Sequence, residues 1–168
     1  VLMYWAAAKT GIVIVPMSTM LQAAGLKPLL SDSDSLMIIA DVSFAQLLNN
    51  IRQDLAAIKN NRYISVGGDV APAGFVSFDK FIQTASKNEP PDPNLTDNDV
   101  YNIMYSSGTT GSPKGIIHTH YIRSCYCTLF ASSFRMSPES IILHTGALVF
   151  NGAMMGFMPW MYLGCRYI

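Results

Sequence analysis

The sequence predicts an α/β fold in which helices flank a mostly parallel sheet. Helical and β-branched segments alternate along the chain, as they do in parallel α/β sheets. Half of the 168 residues are apolar and 13% are charged, which suffices for a buried core. In addition, a ten-residue loop rich in Ser, Thr and Gly, residues 106–115, connects two apolar segments that are predicted to be strands.

The first segments predict a helix followed by two strands. Residues 1–9 have the pattern of the end of a helix with Gly11 near its C-cap, and the β-branched residues 12–15 predict a strand closed by Pro16. A second strand is expected at residues 36–40, after a turn-rich stretch. The continuous apolar character of this second strand suits a sheet that is covered on both faces.

The strongest periodicity predicts a helix that begins near Ser43, where Ser43 and Gln46 form a capping-box pattern. The apolar residues then recur with the spacing of one helical face: Phe44, Leu47, Leu48, Ile51, Leu55 and Ile58. Residues 63–66 predict a strand, and residues 78–85 predict a short helix capped by Ser77.

We expect the chain to consist of three consecutive parts that belong to one incomplete domain. Residues 1–86 form an α/β segment, and residues 87–99, with three prolines, form an exposed connector. Residues 100–168 contain the Ser/Thr/Gly-rich loop. Within this last part, strands are expected at 100–105, 115–120 and 141–145, and a helix at 121–136.

Composition and charge exclude several classes of function. Eleven basic and eleven acidic residues cancel, so the broad positive surface of a nucleic-acid-binding protein is not expected. Three unpaired cysteines favour a reducing compartment, and a cytoplasmic protein is expected. Residues 140–165 lack Asp, Glu, Lys and Arg, but polar residues and glycines interrupt them, so no membrane span is expected. The first residues do not resemble a signal peptide, and the chain looks like a part of a longer one.

The loop at residues 106–115 has the composition of a polyphosphate-binding site. Glycines allow successive backbone N–H groups to face one anion, hydroxyls add neutral donors, and Lys114 adds a positive charge. A plain surface turn remains an alternative, although connecting loops are usually shorter. A Walker-type loop does not fit, because Lys114 is followed by Gly115 and a β-branched pair instead of Ser or Thr and a helix.

The motif YSSGTTGSPKG at residues 105–115 resembles the phosphate-loop signature of the adenylate-forming superfamily. This superfamily includes acyl- and aryl-CoA ligases, luciferases and the adenylation domains of peptide synthetases. The segment AAKTGIVIVPMS at residues 7–18 is similar to an upstream motif of that family, with Thr10 in a position where alanine is usual. Residues 116–120 and 143–168 resemble the strand after the loop and the start of the acyl-binding wall. The resemblance is strongest to acyl-CoA synthetases, of whose large N-terminal domain the chain would be an internal part.

The resemblance implies that a carboxylic acid is activated with ATP to an acyl-adenylate and then transferred to CoA, with Mg²⁺ as cofactor. The implied catalytic residues are Thr109 and Lys114. The residues expected to bind the ATP phosphates are Ser106, Ser107, Gly108, Thr109, Thr110, Gly111 and Lys114. The family motifs that supply the magnesium-binding glutamate, the ribose-binding aspartate and the adenylation lysine do not occur in the chain. An aryl-CoA ligase, an adenylation domain, another NTPase or kinase module, or an inactive fragment remain alternatives.

The same resemblance suggests an acyl pocket near Phe150, Asn151, Met154 and Met155, with Asn151 where many acyl-CoA ligases have histidine. An ordinary turn at Asn151 and an ordinary methionine-rich core are the competing interpretations. His118, His120, Cys125 and Cys127 are weighed as zinc ligands. Residues two apart on a helix, such as Cys125 and Cys127, point in different directions, so a zinc site is not expected and packing is the favoured explanation.

Overall fold

The computed structural model describes residues 1–106 and 113–168. The chain divides into two compact units, one formed by Val1–Ser18 with Pro90–Ile168 and the other by Thr19–Glu89. The break at Glu89 falls in the proline-rich segment, most of whose residues are exposed. The domain boundaries predicted at residues 86 and 99 remain a prediction.

In the first unit, helix α1 (Leu2–Thr10) leads to an antiparallel pair of strands, β4 (Val100–Ser106) and β5 (Lys114–Thr119). Helix α1 ends at Gly11, whose φ of 72° is left-handed, so the predicted C-cap is confirmed. The strand predicted at residues 12–15 is reduced to a single parallel bridge between Ile14 and Asn102.

The remainder of the first unit comprises helix α5 (His120–Ser133), strand β6 (Ile141–Ile142), helix α6 (Met154–Leu163) and strand β7 (Arg166–Tyr167). The parallel pairing of β6 with β7 is two residues long, so β6 is shorter than the predicted strand 141–145. The core of this unit consists of side chains from α1, β4 and α6 with the turn before α6: Tyr4, Ala7, Tyr101, Met104, Ala153, Met154, Phe157 and Met158.

The second unit contains a parallel sheet with the order β1 (Ile38–Asp41), β2 (Tyr63–Val66) and β3 (Val76–Ser77). Its helices are α2 (Ala23–Asp32), α3 (Ala45–Ile51) and α4 (Phe78–Gln83). The α/β fold and its mostly parallel pairing are thus confirmed. The hairpin of β4 and β5 is the antiparallel exception.

The predicted capping box at Ser43 and Gln46 is wrong. The side chain of Asp41 accepts a hydrogen bond from the backbone N–H of Ser43 at 3.0 Å, and the Ser43 hydroxyl donates to the same oxygen at 2.6 Å. A 3₁₀ turn over Val42–Phe44 therefore precedes α3. Leu55 and Ile58 are buried as the periodicity predicted, although they lie beyond the helix end.

The cap of helix α4 was predicted correctly, since the Ser77 hydroxyl accepts from the Lys80 N–H at 3.2 Å. Helix α2 was not predicted, because Gly25 and the internal Pro28 weaken the helical signal of its sequence. In the same unit the guanidinium of Arg52 lies 3.7 Å from the centre of the Tyr63 ring, which is a close cation–π contact.

Candidate functional site

The hairpin of β4 and β5 brings together the two ends of the predicted phosphate loop. Ser106 is paired with Lys114 and Tyr105 with Gly115 in the antiparallel register. The loop is therefore anchored on both sides by strand hydrogen bonds. Strands were predicted on both sides of the loop, and both are confirmed.

Gly115 is a position where the hairpin leaves little room for a side chain. A Cβ atom there would lie 3.0 Å from Cγ2 of Ile103 and 3.3 Å from the ring of Tyr105. Tyr105 lies directly across the strand pair from Gly115, so its ring occupies the space that a Cβ atom would need. This glycine is explained by close packing at the base of the loop.

Lys114 is the predicted phosphate-binding cation, and the structure places it at the first position of β5. Its side chain is exposed, and among residues 1–106 and 113–168 it has no ion-pair partner. Ser106, at the end of β4, is exposed as well. The other residues of the predicted phosphate site, Ser107, Gly108, Thr109, Thr110 and Gly111, lie outside the described residues, so their roles remain predictions.

Helix α5 follows β5 without a connecting loop, because Thr119 ends the strand and caps the helix. The Thr119 hydroxyl accepts a hydrogen bond from the backbone N–H of Ile122 at 3.3 Å. This direct junction places Arg123 in the first turn of α5, where its side chain is buried with 2% exposure. Tyr126, three residues further on, lies on the same side of the helix.

Arg123 donates hydrogen bonds to three residues, which lie in two different parts of the unit. Its Nε donates to Oδ1 of Asn102 at 2.8 Å and its Nη2 to the sulfur of Met104 at 3.4 Å, both on β4. Its Nη1 donates to Oδ1 of Asn151 at 3.0 Å. The ring of Tyr126 lies beneath the guanidinium, 4.9 Å from its carbon. Arg123 thus joins the strand before the predicted phosphate loop to the predicted acyl wall.

The charge of Arg123 is not paired with a carboxylate among the described residues, since its acceptors are two amides and a thioether. Burial lowers the pKa of Arg123, while contact with Tyr126 raises it, and an arginine remains charged at neutral pH. Burial also lowers the pKa of His118, and the nearby Arg123 charge lowers it further, which favours a neutral imidazole.

Two of the predicted acyl-site residues, Phe150 and Asn151, lie in the turn before α6, and the other two, Met154 and Met155, are the first residues of that helix. Phe150 is 52% exposed, Asn151 and Met155 are half-buried, and Met154 is fully buried. Met154 belongs to the core, so it would contact an acyl chain only if the core opened. Asn151 is the first residue of a 3₁₀ turn over Asn151–Ala153. An ordinary turn at Asn151 is the competing interpretation of this position. The assignment of these four residues to an acyl site remains a prediction.

Sequence reasoning did not find Arg123, although a signal was present. Arg123 is the one Lys, Arg, Asp or Glu within α5, whose sequence is HYIRSCYCTLFASS. A single charge in an otherwise uncharged helix must either reach solvent or find acceptors. The structure shows the second outcome, and the acceptors come from β4 and the turn before α6.

The histidines and cysteines considered for zinc have other surroundings. His118 is buried near the ring of Tyr126, and His120 packs edge-on against Tyr101 at a centroid distance of 5.1 Å. In the part of the chain that the structure describes, no three His, Cys, Asp or Glu side chains are arranged to hold a metal ion. Over the same residues, no helix has the length and apolar character that crossing a membrane requires.

Comparison with known proteins agrees with this architecture. The model of the family described as "AMP-binding enzyme" matches residues 1–168. The 4-hydroxybenzoate–CoA/benzoate–CoA ligase of Rhodopseudomonas palustris is 34% identical over 119 residues, covering 71% of this chain and 21% of that protein. The long-chain-fatty-acid–CoA ligase FadD13 of Mycobacterium tuberculosis is 35% identical over 118 residues, covering 70% of this chain and 22% of that protein. The chain thus spans about a fifth of the length of these relatives.

Solved structures show the same fold. The N-terminal domain of FACL13 from Mycobacterium tuberculosis superposes with a TM-score of 0.76 at 27% identity, covering 98% of this chain and 39% of that one. The anthranilate CoA ligase AuaEII, in complex with anthranoyl-AMP, gives a TM-score of 0.82 at 24% identity and covers 98% of this chain and 32% of that one. The chain belongs to the AMP-binding enzyme family and has the α/β fold of the N-terminal domains of adenylate-forming enzymes.

Proposed function

We propose that the protein containing this chain is an acid–thiol ligase that activates a carboxylic acid with ATP. A carboxylate oxygen attacks the α-phosphorus of ATP, and the bond from that phosphorus to the bridging oxygen breaks, releasing pyrophosphate. The thiol of CoA then attacks the carbonyl of the acyl-adenylate and displaces AMP. Fatty acids, the substrate class in the name of the FadD13 relative, are the class that we favour. Aromatic acids, the class in the name of the Rhodopseudomonas palustris relative, are the alternative.

The observation that carries this proposal is the loop held by the β4–β5 hairpin, with exposed Lys114 at its end. Departure of pyrophosphate leaves negative charge, which the ammonium of Lys114 and the hydrogen-bond donors of the loop would stabilise. The proposed phosphate set remains Ser106, Ser107, Gly108, Thr109, Thr110, Gly111 and Lys114. Thr109 and Lys114 are the proposed catalytic members.

Magnesium enters the proposal as the usual companion of ATP, and its charge would offset that of the triphosphate when it is bound. The carboxylate that holds it in the family belongs to a motif that these 168 residues do not contain. The three cysteines are unpaired, which supports our placement of the protein in the reducing cytoplasm.

Replacement of Lys114 by Ala in the intact ligase tests the phosphate assignment. A charge-assisted hydrogen bond contributes about 1.5 to 3 kcal/mol, so kcat/KM for ATP should fall by about 10- to 150-fold. The matched control is Lys59→Ala, which removes an exposed lysine of the second unit. Acid-dependent exchange of radiolabelled pyrophosphate into ATP is the measurement. Similar small losses in both variants would contradict the assignment.

We also propose that the 168 residues alone do not form acyl-adenylate. Orientation of the reactants supplies about 7 to 11 kcal/mol of barrier reduction, and family motifs that complete the site are not present in this sequence. Pyrophosphate release should therefore be measured with the isolated chain and with the intact protein, using the same panel of fatty and aromatic acids. Turnover by the isolated chain near the rate of the intact protein would refute this proposal.

A further inference from the structure

The buried network around Arg123 connects the two parts of the unit on which the proposed function depends. On one side the guanidinium holds Asn102 of β4, the strand that leads into the phosphate loop. On the other side it holds Asn151, at the beginning of the proposed acyl wall. With 2% of its surface exposed, Arg123 is itself closed to solvent.

The chemistry of the contact fixes which way the Asn151 carboxamide points. A guanidinium has donors and no acceptor, so the atom of Asn151 that faces it at 3.0 Å must be the oxygen. The amide nitrogen, on the other branch of the carboxamide, donates one hydrogen to the hydroxyl of Tyr126 at 3.1 Å. Both polar atoms of Asn151 are thereby held, and turning the carboxamide over would lose the bond from Arg123 and place an N–H group against the guanidinium donors.

One amide hydrogen of Asn151 is left over. Its nitrogen has two hydrogens, and one bond from it is found among the described residues. Asn151 as a residue is half-buried. An N–H group that is held in a fixed orientation and has no acceptor among the described residues suits an acceptor such as a carboxylate.

We propose that Arg123 is a positioning residue that turns the Asn151 carboxamide so that its free N–H binds the carboxylate of the acid substrate. This inference rests on the proposed function, which puts Asn151 at the acyl site. The planar guanidinium suits the task because its fork holds Asn102 and Asn151 at fixed angles, whereas a lysine ammonium is a flexible point charge. Arg123 would then act on substrate binding without touching the substrate.

The variant Asn151→Asp separates the proposed positioning role of Arg123 from a purely structural role, which would leave binding of the acid unchanged. An aspartate retains the oxygen that accepts from Arg123, with a stronger charge-assisted bond, and the Tyr126 hydroxyl can rotate to donate to it. The same change replaces the free N–H by an acceptor that repels a carboxylate. Structure is therefore retained while the proposed substrate contact is lost.

The experiment uses the intact ligase and an acid that supports pyrophosphate exchange in the wild type. For Asn151→Asp we expect KM for the acid to rise by about 10- to 150-fold, with KM for ATP within about twofold and an unchanged or higher melting temperature. Arg123→Lys should raise KM for the acid by a smaller factor than Arg123→Leu, because the ammonium can still hold one of the two amides. Asn50→Asp, an exposed residue of α3, is the matched control and should behave as the wild type.

The outcomes separate this inference from the proposed function. Wild-type KM for the acid in a folded Asn151→Asp variant would overturn the role of Asn151. If that variant does not fold, wild-type KM for the acid in folded Arg123→Lys and Arg123→Leu would overturn the role of Arg123. A wild-type protein without acid-dependent exchange for any acid in the panel would instead refute the proposed function.

Discussion

Gly11 and Gly164, which each follow the last residue of a helix, provide a matched test of whether Leu95 of the connector leaves room only for glycine at position 11. Gly11 ends α1 with φ of 72°, and Gly164 ends α6 with φ of 70°. A Cβ atom at Gly11 would lie 2.8 Å from Cδ2 of Leu95, in the proline-rich connector, whereas a Cβ atom at Gly164 would meet nothing within 4 Å. Alanine at Gly164 therefore tests the backbone conformation alone, and alanine at Gly11 adds a steric conflict.

The two contributions can be estimated separately. A non-glycine residue in the left-handed region costs about 1 kcal/mol, so Gly164→Ala should lower the free energy of unfolding by about that amount. At Gly11 the conflict is with the end of a leucine side chain, which can move to an unfavourable rotamer at about 0.5 to 1.5 kcal/mol. Gly11→Ala should therefore cost about 1.5 to 2.5 kcal/mol. Leu95→Ala removes each Leu95 atom that the new Cβ would approach, so Gly11→Ala should cost only about 1 kcal/mol in that background.

Urea unfolding of the intact protein, with hydrogen–deuterium exchange of peptides covering α1 and α6, measures these differences. The exchange data assign each loss to its own helix, which is needed if the longer chain unfolds in more than one step. Equal losses for the two alanine variants would refute the steric argument. So would a cost of Gly11→Ala that is the same with and without the Leu95 side chain.

Two further predictions concern the acyl wall and a buried histidine. Met155→Trp should shift the acyl-length preference in pyrophosphate exchange and leave KM for ATP nearly unchanged, because Met155 is half-buried; a general loss of folding would favour a plain core role. In the folded protein the pKa of His118 lies below its usual value of about 6.5, so the unfolded chain takes up a proton at higher pH than the folded protein does. The free energy of unfolding should therefore decrease as the pH drops below about 6.5, until the folded pKa is reached. His118→Gln should reduce this slope in urea midpoints measured between pH 7.5 and 5, and an unchanged slope would contradict the assignment.

Local patterns predicted those elements whose signals lie close together in the sequence. The periodicity after Ser43 identified Leu48 and Ile51, two of the three buried residues of α3. Ser77 identified the start of α4, since a cap requires only the next three residues. The strands around the Ser/Thr/Gly-rich loop were also predicted with nearly correct bounds. These features depend on spacing and on local chemistry.

Features that depend on contacts distant in sequence were not predicted. Helix α2 forms in spite of Gly25 and Pro28 because Leu26, Leu29 and Leu30 become buried. The lone charge of Arg123 in α5 indicates that it needs acceptors or solvent, but nothing in the local sequence identifies Asn102 and Asn151, which lie 21 and 28 residues away.

Lys114 and Arg123, the two cations of the candidate site, differ in burial, and the chemistry of each side chain suits its environment. Lys114 is exposed at the base of the loop, where a hydrated and flexible ammonium can follow a mobile polyphosphate and loses little by remaining in water when no ligand is bound. Arg123 is buried, and a buried charge is tolerable only if its donors are satisfied.

Each of the three guanidinium nitrogens of Arg123 has one acceptor, and these acceptors are uncharged: the amide oxygens of Asn102 and Asn151 and the sulfur of Met104. An aspartate in place of either amide would satisfy the same donors but would also cancel the positive charge. Neutral acceptors keep the guanidinium in place and leave its field intact beside a site that is proposed to receive an anionic acid and a triphosphate. Asparagine at positions 102 and 151 therefore holds the guanidinium without cancelling its charge, whereas a carboxylate at either position would cancel it.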